Sequence, residues 1–102
     1  MSNKDYKNFS DFYEFYLTEH SNKTNRLLHF TGTSLLIMIA LNAILTGAYI
    51  NLLYCPLIGY GFAWIGHFRF EKNRPATFKY PFYSFIADFV MWWQILTKKI
   101  YF

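Results

Sequence analysis

His20, His29 and His67 are the only histidines in the chain, and with Glu71 they form the set of side chains best suited to metal chemistry. His67 and Glu71 stand four apart, so on one helix they would offer an imidazole and a carboxylate to the same ion. His20 and His29 add nitrogens from two other directions. Three neutral imidazoles, with or without a carboxylate, suit iron(II) or zinc and leave positions open for further ligands. Asn25 shares a helix face with His29, and Tyr60, Trp64, His67 and Glu71 make one stripe spaced 4-3-4. The bland alternative is a group of interfacial histidines that only pack or hydrogen-bond. All three expected on one side, with none elsewhere, shifts the balance toward a ligand set. Glu71 could equally orient a histidine from behind or pair with Arg74.

The elements that must bring these residues together are hydrophobic. Leu27 to Phe68 runs for 42 positions without an Asp, Glu, Lys or Arg. As one helix it would extend ~63 Å, about twice the ~30 Å hydrocarbon core of a bilayer. Folded into two crossings, it returns His29 and His67 to the same face, so a metal site at the membrane surface is expected.

Composition agrees. The chain is 54% hydrophobic and 24% aromatic but only 16% charged, where soluble domains carry about 25% charged residues. Apart from Asp88, the charges are confined to positions 4–26, 69–79 and 98–99. This segregation reads as an integral membrane protein. The net charge of +4 comes from basic residues flanking apolar spans, which the positive-inside rule explains without a nucleic-acid partner. The basic flanks assign the N-terminus, the 69–79 loop and the histidines to the cytoplasmic side. Cys55 stands alone, so no intrachain disulfide is possible, and its role is small apolar filler near a helix start. The polar N-terminus lacks an apolar run behind a basic head, so no cleaved signal peptide is expected.

The expected fold is all-α, a single membrane domain over 1–102 divided into three parts. An amphipathic N-terminal helix occupies 1–24, with Tyr6, Phe9, Tyr13, Tyr16 and His20 on one stripe from Asp5 onward. It would lie on the membrane or on the other helices. A transmembrane helical hairpin occupies 25–73. Its first helix runs from about Asn25 through Leu45 behind a cap at Asn22 or Thr24, and Gly47 and Asn51 mark the turn. Its second runs from near Pro56 to about Asn73, where Arg74-Pro75 stops it. Gly59, Ala63 and Gly66 give that helix a small-residue face for close approach. A C-terminal apolar helix falls within 80–99. Its run Phe82–Leu96, bounded by lysines, suits a short, tilted or re-entrant segment, with Asp88 facing protein.

The run Gly59-Tyr60-Gly61-Phe62-Ala63-Trp64-Ile65-Gly66-His67-Phe68, followed by Glu71-Lys72-Asn73-Arg74-Pro75-Ala76, resembles the signature of a membrane protein family long labelled as of unknown function. Its fungal members are 2-hydroxy fatty acid dioxygenases of alpha-oxidation. His20 with Asn25-x-x-x-His29 resembles the family's upstream block, and Ser84, Asp88 and Met91 its C-terminal one. The likeness covers roughly residues 12 to 91. The Gly-His-x-x-x-Glu-x-x-Arg-Pro core is fairly specific and the other two blocks are weaker.

The resemblance implies an iron(II)-dependent enzyme that shortens a 2-hydroxy fatty acid by one carbon with molecular oxygen. It makes His20, His29 and His67 the ligand candidates and Glu71 and Arg74 the catalytic ones. Arg74, Lys72, Trp64 and Asn25 are the substrate-binding candidates. A 2-hydroxy acid offers a carboxylate and a hydroxyl to iron, while Arg74, Lys72, Arg69 or Arg26 could neutralise the carboxylate. The acyl tail would extend among Trp64, Phe62 and the first crossing helix. Fungal members carry more hydrophobic sequence between the two histidine blocks, so this chain is a compact version. The alternatives are a zinc-dependent membrane hydrolase, bis-histidine haem ligation and a non-enzymatic membrane scaffold. The expected partners are the bilayer, a long-chain 2-hydroxy fatty acid and O2, and a homodimer is a reasonable assembly for so short a chain.

Overall fold

The structure, a computed structural model, describes residues 6–102. It is all-α, with no strand among the described residues. Helix α1 spans Phe9–Thr18, α2 Lys23–Thr46, α3 Tyr54–Ile65 and α4 Pro81–Leu96. Short 3-10 turns at Tyr49–Leu53 and Ala76–Phe78 and a π-helical turn at Gly66–Glu71 link them.

The helix ends follow local chemistry. Asn8 caps α1 by accepting from the Asp11 amide, and Asn22 caps α2 by accepting from that of Asn25. Each satisfies a backbone N–H that has no partner inside the helix. Gly47 closes α2 at φ 74°, the left-handed conformation that a residue without Cβ adopts at least cost. Pro81 opens α4, where its missing N–H costs nothing.

α2 and α3 run antiparallel. Along α2, Asn25, Gly32 and Leu36 meet Gly66, Phe62 and Gly59 in reverse order. The Cys55 thiol donates to the Leu36 carbonyl at 3.5 Å. α1 lays its aromatic stripe on α4, so this face is covered by protein. Phe12 and Tyr16 are buried with Ala87, Met91 and Ile95 in the main apolar cluster. Full burial of such a side chain contributes about 1.5–3 kcal/mol relative to exposure. α4 also packs on α2, where the Trp92 indole N–H donates to Ser34 Oγ at 2.8 Å and its ring stacks on Phe30.

Two features differ from the sequence expectation. α1 begins at Phe9 rather than Asp5, which lies outside the described residues. The return helix keeps α-helical winding only to Ile65 and then widens into the π turn. The 4-3-4 stripe therefore fails between His67 and Glu71, because i→i+5 winding takes residues four apart out of alignment.

The surface is inverted relative to a soluble bundle. His20, Asn25, His29, Thr33, His67 and Ser84 are buried, whereas Met38, Leu41, Leu45, Leu53 and Leu57 are exposed, Leu45 by 83%. Among the described residues one helix, α2, is long and apolar enough to cross a membrane.

A Cβ at Gly32 would lie 2.8 Å from the Phe62 Cβ, an atom held by its own backbone. Gly32→Ala is expected to lower stability by about 1–3 kcal/mol. Phe62→Ala keeps that Cβ, so adding it to Gly32→Ala should leave the closest contact in place and not restore stability. Thermal unfolding in detergent checks both, and an unchanged Tm for Gly32→Ala would refute the close packing.

Candidate metal centre

The three histidines come from separate segments and converge. His20 ends the stripe of α1, His29 lies in the second turn of α2, and His67 is in the π turn. All three are buried. Their candidate ligand atoms lie within 4.8 Å of one another, and the imidazole planes stand nearly perpendicular.

The orientation of each ring follows from its Nδ1. That atom of His20 lies 2.7 Å from the Tyr16 carbonyl oxygen, and that of His29 lies 3.0 Å from the Asn25 carbonyl oxygen. His67 Nδ1 lies 2.7 Å from Asn73 Oδ1. The Asn73 amide is oriented by its other end, which donates to the carbonyl and carboxylate oxygens of Glu19 at 3.1 Å each. Every Nδ1 thus faces an acceptor and must carry a proton. In the neutral rings every Nε2 is left as a bare lone pair.

Those lone pairs face one another, with His20 Nε2 and His29 Nε2 only 3.0 Å apart. Two acceptors at that distance need a cation between them. A shared proton is disfavoured, because burial, followed by the neighbouring histidines, holds the His20 pKa well below the usual 6.5. A metal ion fits. Two nitrogens at a right angle around an ion with ~2.1 Å bonds are ~3.0 Å apart. The same spacing is too short for His20 and His29 to occupy opposite faces of a haem iron, and the adjoining chamber of about 20 Å³ leaves no room for a porphyrin.

Glu71 does not join this cluster. Its carboxylate accepts from the Asn22 amide at 2.7 Å, Asn25 Nδ2 at 3.2 Å and Ser21 Oγ at 3.1 Å. Of the roles the sequence leaves open for Glu71, chelation beside His67 is not the one its contacts favour, since the π turn aims the carboxylate at the α1–α2 turn. Glu71 ties the segment carrying His67 to the segment between His20 and His29.

The other expected residues divide. Asn25 is buried beside Gly66, supplies the carbonyl that holds His29 and keeps its own Oδ1 without a partner among the described residues. Trp64 borders the small chamber beside the histidines. Lys72 and Arg74 are exposed on the loop after the π turn, and neither lines that chamber. Arg26 uses its guanidinium on the carbonyls of His20 and Tyr101.

Several residues at the site carry no assigned role in the sequence reading. Tyr16 stacks on His20 with ring centroids 3.9 Å apart, and its hydroxyl donates to Asp88. Burial, then the Asp88 carboxylate, pushes the Tyr16 pKa well above 10.0, so the phenol keeps its proton. Tyr16 stands four before His20, a spacing visible in the sequence. Asn73 and Glu19 follow no periodicity and are joined only in three dimensions. Ser84, whose block the sequence comparison had marked, is buried with a hydroxyl that has no partner among the described residues and lines the small chamber with Asp88.

An all-α chain that buries three imidazoles around one point, each held from behind, is a candidate metalloprotein. More narrowly, this chain belongs to the Mpo1-like family, described as 2-hydroxy-palmitic acid dioxygenase Mpo1-like, whose model matches residues 6–100. No curated protein and no solved structure gives a significant match.

Two outcomes are expected. Asn73→Ala should weaken metal binding about 10–100-fold, as loss of a group that orients a ligand does, while the helical content stays unchanged. Metal affinity measured by competition with a chelator checks this, and an unaltered affinity would remove Asn73 from the support of His67. In the metal-free protein, His20 stays neutral when folded but takes a proton below pH 6.5 when unfolded. The unfolded state then binds more protons, so stability is fully present above pH 6.5 and falls below it. The expected loss from His20 approaches about 1.4 kcal/mol per pH unit. Unfolding between pH 7.5 and 5 should show this slope, and His20→Phe should reduce it.

Proposed function

We propose that the chain is an iron(II)-dependent dioxygenase that shortens a 2-hydroxy fatty acid by one carbon at a membrane surface. The observation that carries this reading is the convergence of three imidazoles whose candidate ligand nitrogens lie within 4.8 Å of one another and whose Nδ1 atoms each face an acceptor. Membership of a family described by a 2-hydroxy acid dioxygenase supports the substrate class. His20, His29 and His67 would hold iron(II), which when bound would supply the activation of dioxygen.

The remaining roles belong to the chain. Ser84, a buried hydroxyl in need of a partner, holds the substrate's carboxylate in the chamber. Tyr16 keeps the His20 ring in place by stacking and is itself anchored on Asp88. Glu71 acts as a brace, and Asn25 orients His29 through its carbonyl. Trp64 forms part of the wall that keeps water from the head group. Exposed Lys72 and Arg74, with Arg69, give the nearby loop a positive charge that attracts an acidic substrate. The overall reaction balances with carbon dioxide and water as co-products, and no external reductant is needed.

The exposed apolar surfaces of α2 and α3 support a bilayer location in which these helices form the spanning hairpin. The basic flanks favour a cytoplasmic histidine site. A lipid substrate would then reach the centre without leaving the membrane.

The expected result for detergent-purified protein prepared without oxygen is about one iron per chain, lost in His67→Ala. Oxygen should then convert a 2-hydroxy acid to the acid one carbon shorter. Zinc with hydrolytic activity would replace this reading by a hydrolase, and no bound metal after iron(II) is supplied would leave a scaffold. Ser84→Ala should retain iron while raising KM roughly 5–30-fold, the equivalent of about 1–2 kcal/mol. An unchanged KM would remove Ser84 from the carboxylate.

A further inference from the structure

A second cavity, about 320 Å³ in volume, lies between α2, α3 and α4. Its walls are apolar for most of their length, with Leu36, Ala40, Leu52, Pro56, Phe85 and Phe89 among them. It shares His29, Tyr60, Ala63, Thr77 and Asp88 with the chamber beside the histidines, so the two spaces adjoin. Its polar lining is concentrated at that junction, with Thr33 one turn further along α2. A single-chain amphiphile has this distribution, with an acidic head at the histidines and a hydrocarbon tail running toward Ala40 and Leu52.

We infer that this cavity binds the acyl tail of the substrate and that Ala40, at its far end, sets the preferred chain length; the inference rests on the 2-hydroxy fatty acid reading. His29 and Ala40 are eleven positions apart on α2, which corresponds to ~16 Å along the helix axis. A C–C bond of ~1.5 Å at a tetrahedral angle advances an extended chain by ~1.25 Å per carbon. The cavity therefore takes ~13 carbons beyond the head group. Acids of roughly 14–16 carbons fill it, and shorter ones leave its far end without apolar contact. The small side chain of Ala40 keeps that end open. A phenyl ring there would occupy space equal to several methylenes.

Cys55, the chain's only cysteine, lines the same cavity and provides a reporter independent of turnover. The experiment measures alkylation of Cys55 by N-ethylmaleimide in the detergent-purified full chain, with straight-chain acids of 8 to 18 carbons present. These acids lack the 2-hydroxyl and need no reaction to bind. Palmitic acid should slow alkylation by about tenfold, and octanoic acid at equal free concentration should have little effect. Ala40→Phe should lower the longest chain that still protects, and in parallel the chain-length optimum for 2-hydroxy acid turnover, by several carbons. The shortest protecting chain should stay the same, because Cys55 lies beside Leu36, nearer the histidines. Iron content should stay the same. Protection that is independent of chain length, or an upper length limit unmoved by Ala40→Phe, would overturn the assignment. Length-dependent protection without turnover of any 2-hydroxy acid would keep the acyl cavity and overturn the dioxygenase reading. Turnover without protection would do the reverse.

Discussion

The arrangement turns on three hydrogen bonds from the outer nitrogens of three buried imidazoles. Once Tyr16, Asn25 and Asn73 accept hydrogen bonds from the protonated Nδ1 atoms, the inner nitrogens of the neutral rings can only present lone pairs. Three such acceptors cannot satisfy themselves, and burial opposes the extra proton that would relieve them. Much of the surrounding structure maintains this unresolved state. Asn8 starts the helix that delivers Tyr16 and His20, and Asn22 starts the one that delivers Asn25 and His29. The π turn aims His67 inward while turning Glu71 back to join the two.

Burying polar groups inside an apolar exterior is costly unless each has a partner. The chain meets most of that cost locally. Asn73 uses both ends of its amide, and Glu71 accepts from three neighbours. The Oδ1 of Asn25 and the hydroxyl of Ser84 are left over. The two differ in their surroundings. Asn25 is wedged against the Cβ-free side of Gly66, whereas Ser84 faces a chamber. Only Ser84 is therefore available to a small molecule.

Much of this could be read from the residues alone, for identifiable reasons. The charge-free run from Leu27 to Phe68 required a fold back on itself, and small residues at Gly59 and Gly66 marked the contact. The three histidines were conspicuous because the chain has no others. The role of Glu71 was not legible, since i, i+4 reasoning assumes regular winding and the π turn breaks it after Ile65. No periodicity announces that turn. The supports of the site were hidden for another reason: Glu19 and Asn73 are far apart in sequence, and neither type is distinctive. Gly32 likewise gained meaning only when Phe62 was seen against it.

The contributions of three distant segments to one point have a topological consequence. An ion held there is a removable staple joining the end of α1, the start of α2 and the π turn. Like any bond between remote positions, it would restrict the disordered chain more than the ordered one and so tilt the balance toward the assembled helices. Metal supply and the lifetime of the folded polypeptide are then linked variables. Scarcity of the ion would act on how much protein persists as well as on how much of it turns over.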